Sequence, residues 1–123
     1  MSELVDTLPN FQSSQIICLE FGSTYLYAEV IQVVVARQLC WTRPLMLVTL
    51  LSDVNHLLDL RDGADLLLPL SLFRAAFDTE VIPFLTDLQS LDFQEKDAII
   101  AHRQLRDFLG KVCEAYPSVF NSV

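Results

Sequence analysis

The apolar pattern changes its period near residue 78, and this change constrains the fold more than any other feature of the sequence. Before it, apolar residues alternate with polar ones or form β-branched and aromatic runs such as "YLYAEVIQVVV" at 25–35, which favour strands. After it, apolar residues recur every three or four positions, as in an amphipathic helix. Strands followed by helices, rather than alternating with them, predict an α+β fold with an antiparallel sheet.

The first two predicted strands follow each other across a short turn. "QIICLEF" at 15–21 alternates between two faces, and "GST" at 22–24 is a turn signal. Within 25–35, Glu29 and Gln32 would share one face of a helix but lie on opposite faces of a strand, and the β-branched run favours the strand. Both faces of this strand are largely apolar, so we expect a covering layer on each side of the sheet.

The rest of the sheet is predicted to end near residue 70. "RQLCWTRPLMLVTL" favours one or two strands, with Pro44 at a bulge or an edge because proline has no N–H for the ladder. The segments 57–61 and 65–70 flank Asp62-Gly63, a dipeptide typical of tight turns, and predict a hairpin. With about five strands, the antiparallel sheet is either open or closed into a small SH3-like barrel.

Two helices are predicted after the sheet. Asp78 suits the N-cap of the first, with Glu80 in its first turn and Pro83 near its start. Before the second, Asp92 and Glu95 have the spacing of a capping box. Its apolar stripe consists of Ala98, Ala101, Leu105, Phe108, Leu109, Val112 and Tyr116, followed by Pro117. The chain is thus predicted to form one domain over 1–123, with strands at about 15–70 and helices at about 78–116.

The composition predicts exposed apolar surface. Apolar residues make up 52% of the chain and charged residues 20%, whereas typical domains have about 45–50% and about 25%. A domain of 123 residues has too much surface to bury such an excess. We therefore expect a homo-oligomer or a stable protein partner, such as a larger complex, to cover part of it.

Charge and cysteine content limit the expected partners and compartment. The net charge is −8, and segment 53–97 alone carries 3 basic and 10 acidic residues, or −7. Such a surface repels phosphates, so we expect no nucleic acid and no anionic membrane as partner, whereas a basic protein could dock there. The three cysteines form no CxxC and "MSELVDTLPN" has no basic n-region, which favours the cytoplasm. No apolar run approaches the ~20 residues of a membrane span.

The stretch "RQLCWTRPLML" at 37–47 carries the candidate partner-binding residues. If it is extended, Arg37, Leu39, Trp41 and Arg43 share one face. Arginine is rarely buried unpaired, and Trp and Arg are enriched in interface hot spots. The sequence therefore predicts a contact surface made by Arg37, Trp41 and Arg43. In the alternative, Trp41 packs in the core while both arginines reach the rim and pair with local acids.

No pattern of catalytic or metal-binding residues is complete. GxSxG, P-loop, GxGxxG and HExxH motifs are absent. Asp59, Asp62 and Asp65 lack the alternate spacing and terminal glutamate of a calcium loop. Asp53, His56 and Asp59 are three apart and would share one face of a helix, but a predicted loop at 51–56 and a predicted strand at 57–61 break that geometry. The cysteines have no histidine close in sequence to act as base, and they suit buried thiols better than nucleophiles. We therefore predict no enzyme, no cofactor and no metal site.

Two functions remain as hypotheses. The first is a non-catalytic protein–protein interaction module with an assembly or regulatory accessory role, in which Arg37, Trp41 and Arg43 form the hot spot. The alternative is a protein that binds a small apolar ligand or a pigment, because the leucine, valine and phenylalanine excess could line an apolar pocket.

The segments "EVIQVVVARQLCWTRPLML" and "DLRDGADLLLPLSLFRAAFDTEVIPFL" resemble a family of small conserved cyanobacterial proteins without an assigned activity. The similarity covers residues 25–120 approximately. It implies a cytoplasmic accessory protein related to photosynthesis. It transfers no catalytic or ligand-binding residue to this chain.

Overall fold

The computed structural model describes residues 10–91 and 95–121 and confirms the α+β fold, with an antiparallel sheet followed by helices. The strands are β1 (Ile16–Phe21), β2 (Thr24–Val34), β3 (Leu39–Leu50), β4 (Asn55–Asp59), β5 (Leu66–Pro69) and β6 (Arg74–Ala75). The helices are α1 (Asp78–Gln89), α2 (Glu95–Ala115) and the short α3 (Pro117–Asn121), with 3₁₀ turns at Val35–Arg37 and Leu70–Leu72.

The six described strands form an open sheet in the order β4-β3-β2-β1-β6, with every pair antiparallel. β3 pairs with β2 along one edge and with both β4 and β5 along the other. No described strand joins β4 to β6, so the open form of the predicted sheet is the one found, and the barrel is not.

The predicted hairpin of 57–61 with 65–70 is wrong. Both segments contain strands, but β4 pairs with the second half of β3 and β5 with its first half. β3 has twelve residues, which is long enough to accept both strands end to end. Gly63 serves another purpose than a hairpin turn, because a Cβ at this position would collide with the ring of His102 on α2. The glycine thus allows α2 to approach the 60–65 turn.

Pro44 lies at a bulge within the single long strand β3, in agreement with the bulge that the sequence predicts. The register steps from Tyr27 opposite Met46 to Ala28 opposite Pro44, which leaves Leu45 as the extra residue. On the other edge, Pro44 falls between the parts of β3 that pair with β5 and with β4. Proline lacks an N–H at a point where the hydrogen-bond ladder is already interrupted.

One helix covers each side of the sheet, which confirms the expectation of two covering layers. The α2 side buries a large cluster that includes Ile17, Leu19, Leu26, Val30, Cys40, Leu47, Leu68, Ala101, Leu105, Phe108 and Val112. The α1 side buries a smaller one made of Cys18, Tyr27, Met46, Val48, Val81 and Leu88. The buried part of α2 is the centre of the predicted stripe, whereas Tyr116 at its end is exposed.

The helix ends differ in part from the predictions. The N-cap of α1 is Phe77, and Asp78 is the first helical residue. Phe77 has no side-chain acceptor for the first helical N–H groups, and only the reciprocal half of a capping box is present, in which Glu80 Oε1 accepts the Phe77 N–H at 2.9 Å. α1 continues through Pro83, and Pro117 follows the end of α2 as predicted. The predicted capping box of Asp92 and Glu95 falls outside the described residues.

Candidate partner-binding surface

Helix α1 covers only part of its side of the sheet. Tyr27 of β2 packs under α1, and Glu29, two residues further along the same strand, lies opposite Arg43 of β3. Paired residues of neighbouring strands project to the same face, so Arg43 and, two positions before it, Trp41 lie on the α1 side. Both side chains are exposed. This half of the face therefore lies beyond the helix.

Trp41 is flanked in register by one residue from each neighbouring strand. Gln32 of β2 and Leu67 of β5 both lie opposite it. Trp41 is 41% exposed and Leu67 56% exposed, and Gln32 is exposed as well. Paired residues of neighbouring strands lie side by side on one face, so the indole and the isobutyl group belong to one exposed apolar patch. We name Gln32, Trp41, Arg43, Asp65 and Leu67 the Trp41 surface.

The carboxylate of Asp65 orders the polar groups of this surface. Trp41 Nε1 donates a hydrogen bond to Asp65 Oδ2 at 3.1 Å. Arg43 Nε lies 3.5 Å from Asp65 Oδ1. The indole N–H is thus satisfied while the ring stays at the surface, so Trp41 is not the core residue of the alternative interpretation. The predicted pairing of Arg43 with a local acid is found.

The structure separates Arg37 from the strand that was predicted to carry it. Arg37 is exposed in the 3₁₀ turn after β2, and Gln38 follows with a φ of 56° in the left-handed region. The predicted face therefore holds for Leu39, Trp41 and Arg43, which alternate along β3, but not for Arg37, and Leu39 is buried. Arg37 stands at the end of the sheet next to this face. No ion pair links Arg37 to another residue within the described ranges.

Sequence reasoning missed Leu67, Asp65 and Gln32 as members of this surface. "DLLLPL" at 65–70 has the pattern of a buried strand, and two of its leucines, Leu68 and Leu70, are indeed buried. Leu67 is exposed because it alternates with them and because α1 does not reach it. Only the pairing of β5 with β3 brings Asp65 to Trp41, and the predicted hairpin concealed that pairing.

A second polar cluster joins α1 to the sheet on the covered half of the face. Arg74 Nη1 and Nη2 donate to the two carboxylate oxygens of Glu80 at 2.9 and 2.7 Å, and its Nε donates to Glu20 at 3.3 Å. Tyr27 donates its hydroxyl proton to Glu80 Oε2 at 2.7 Å. Arg74 also donates to the Ala75 carbonyl. Every nitrogen of this guanidinium is engaged, so the cluster holds structure together rather than binding an external anion.

The electrostatics of these groups agree with a structural role. The hydrogen bonds from Arg74, with those from Tyr27 and the Phe77 N–H, lower the pKa of Glu80 to about 2 against the opposing effect of burial. Burial, together with the hydrogen bond to Glu80, raises the pKa of Tyr27. Burial raises the pKa of Cys18 to about 12 and that of Cys40 to about 11. Both thiols are therefore protonated at neutral pH, which is unsuited to nucleophilic attack.

In 10–91 and 95–121, no three histidine, cysteine, aspartate or glutamate side chains come together to hold a metal ion. Nor does this part of the chain contain a helix long and apolar enough to span a bilayer. Three clefts of about 260 to 480 Å³ open on the surface, and each has charged residues in its lining.

No protein-family model, curated protein or solved structure matches this chain. The resemblance to small cyanobacterial proteins thus stays a prediction.

Proposed function

We propose that this chain is a non-catalytic interaction module that docks on a protein partner through the Trp41 surface. One observation carries the proposal: the only tryptophan of the chain is 41% exposed on the half of a sheet face that α1 leaves uncovered. Desolvating a large aromatic side chain of this kind supplies much of the binding energy in known interfaces. The cytoplasmic setting belongs to the same proposal, supported by the free thiols of Cys18 and Cys40.

The Trp41 surface differs from an ordinary scatter of exposed apolar residues. Single exposed leucines are normal and need no explanation. Here Trp41 and Leu67 are neighbours in register, and Asp65 fixes the indole by its hydrogen bond. Because the ring is already held in one orientation, binding costs little side-chain entropy. An apolar centre with a polar rim is the usual anatomy of an interface.

Charge indicates the chemistry of the partner. The first 60 residues contain two basic side chains, Arg37 and Arg43, and both flank Trp41. Arg43 already faces Asp65, whereas Arg37 has no ion-pair partner among the described residues. We therefore propose a partner face with an apolar centre and a carboxylate placed to meet Arg37. Such complementarity favours specificity and association rate.

The experiment has two stages. Affinity capture with the wild-type chain first identifies a binding protein, which is then purified and titrated by calorimetry. Trp41→Ala should weaken this binding at least ten-fold, the scale of a hot-spot residue. Ile82→Ala is the matched control, because Ile82 is 56% exposed on α1 and lies outside the Trp41 surface. Equal binding by Trp41→Ala and wild type would refute the proposal.

Two further measurements distinguish a loss of binding from a loss of folding and a separate partner from a second copy of the chain. Arg37→Glu changes an exposed turn residue, so it should fold normally and weaken binding even where Trp41→Ala proves unstable. Light scattering over a range of concentrations tests the expected self-association. If Trp41→Ala dissolves an oligomer of the wild type, the occupant of the Trp41 surface is a second copy of this chain, and the proposal of a separate partner is wrong.

A further inference from the structure

A cleft lies at the outer edge of β1, and none of its lining residues belongs to the Trp41 surface. β6 pairs with β1 only opposite Ile17 and Cys18, and the chain before it forms the 3₁₀ turn Leu70–Leu72. Where the pairing stops, a cleft of about 480 Å³ opens between the second half of β1 and residues 71–74. Its lining includes Glu20, Phe21, Leu72, Arg74 and Tyr116.

The backbone of Glu20 faces this cleft with unused hydrogen-bonding groups. The two-residue turn between β1 and β2 closes with Phe21 opposite Thr24, so Phe21 and Leu19 direct their N–H and C=O groups toward β2. The intervening residues Cys18 and Glu20 direct theirs to the outer edge. Cys18 meets Arg74 of β6 there, whereas Glu20 meets no strand within the described ranges.

Side chains around the cleft supply both apolar and charged contacts. The ring of Phe21 lies edge-on to those of Phe108 and Tyr116, with centroids 6.5 and 6.2 Å away. On the opposite face of β1, the Glu20 side chain is 45% exposed and only its Oε1 receives hydrogen bonds, both from Arg74. Arg74 is shared with Glu80, which lies outside the lining of the cleft, and the second carboxylate oxygen of Glu20 receives no hydrogen bond from the described residues. This free oxygen can accept a hydrogen bond from a cationic side chain.

We propose that this cleft binds a short extended segment of a basic protein partner, which adds as a strand to β1 beyond the end of β6. The residue opposite Glu20 is a lysine or arginine, because it exchanges backbone hydrogen bonds with Glu20 and projects to the same face as its carboxylate. The residues on either side of it are apolar and project toward Phe21 and Tyr116. The site is separate from the Trp41 surface, so a partner for each would make the chain an adaptor.

The part of the opposite edge that β5 forms is less suited to strand addition. In β5, Leu70 N donates to Gln38 O, so by alternation Leu67 and Pro69 are the residues that face outward. Proline offers no N–H there, which is a common way of blocking an edge. β1 has no such block at Glu20, and the walls of the cleft add side-chain contacts that a bare edge lacks.

The test uses the peptide acetyl-Thr-Val-Lys-Phe-Thr-amide and the ¹⁵N-labelled full chain. We expect saturable shifts of the Glu20 to Gly22 amides and slower hydrogen exchange at the Glu20 N–H. A peptide with glutamate in place of lysine should bind more weakly. A peptide whose lysine carries a methyl group on its backbone nitrogen should no longer slow hydrogen exchange at the Glu20 N–H. No shift at millimolar peptide, or equal binding of the N-methylated peptide, would overturn the proposal.

Variants of the chain separate the two contributions of Glu20. Glu20→Ala keeps the N–H and removes the carboxylate, so we expect binding about two- to five-fold weaker, as for an exposed ion pair. Glu20→Pro also removes the outward N–H and should abolish binding. Where Glu20→Pro fails to fold, the N-methylated peptide decides the question. Trp41→Ala should bind the peptide like wild type, so this test is independent of the proposed function.

Discussion

The two halves of the α1 side of the sheet treat an aromatic residue in opposite ways. On the covered half, Tyr27 is 2% exposed and donates its hydroxyl proton to Glu80. On the uncovered half, Trp41 donates its indole N–H to Asp65 and remains exposed. Both polar tips reach a carboxylate. Glu80 belongs to the helix that covers Tyr27, however, whereas Asp65 precedes β5 and lies beside the indole. A hydrogen bond to a carboxylate therefore holds a buried ring in the core on the covered half and orients an exposed ring on the uncovered half.

Truncating the two aromatic residues should give the largest difference. Tyr27→Ala removes a buried ring and should lower the free energy of unfolding by about 3–5 kcal/mol. Trp41→Ala removes a ring that is 41% exposed, so it should cost less, about 1–2 kcal/mol. Urea denaturation of both variants measures this difference. Similar losses for the two would show that Trp41 supports the fold, and would remove the main argument for a binding surface.

Removing the two carboxylates should give a smaller difference of the same sign. Glu80→Ala leaves the Tyr27 hydroxyl, the Arg74 fork and the Phe77 N–H without their acceptor, and should cost about 2–3 kcal/mol. Asp65→Ala leaves only exposed donors and should cost less than about 0.5 kcal/mol. Thermal unfolding of both variants provides the comparison. A loss of stability for Asp65→Ala as large as that for Glu80→Ala would contradict the difference between the covered and the uncovered half.

Acid should weaken the covered half selectively. The pKa of Glu80 is lowered to about 2 from its ordinary value of 4.5, so its contribution to stability is present above about pH 4.5 and is lost as the pH falls toward 2. Glu80→Gln has no carboxylate and therefore lacks this contribution at every pH. The stability gap between wild type and Glu80→Gln should therefore narrow between pH 6 and pH 2.5, as measured by urea midpoints. A constant gap would mean that the charge of Glu80 is unimportant.

Local patterns predicted the elements well because each pattern depends on neighbouring residues. The alternation in "QIICLEF" correctly separates Ile17 and Leu19 from Cys18, which enter different core clusters. The missing N–H of Pro44 correctly indicates a bulge. The prediction of Asp78 as the N-cap of α1 was wrong. Phe77 is the N-cap, and the Glu80 carboxylate in the first turn accepts its N–H. Such a reciprocal contact depends on side-chain geometry that spacing alone does not fix.

The sequence by itself determined the five longer strands, the two longer helices and the two apolar faces of the sheet, since the period of the apolar residues follows from the geometry of each element. It also singled out Trp41 and Arg43. Only the tertiary structure decided that both are exposed together, because β5 pairs with β3 and not with β4. That pairing brings Asp65 to Trp41 across 24 residues of chain. No local pattern specifies such a contact, since it depends on which strand β5 pairs with, and the exposure of Trp41 and Arg43 depends in addition on how much of the sheet α1 covers.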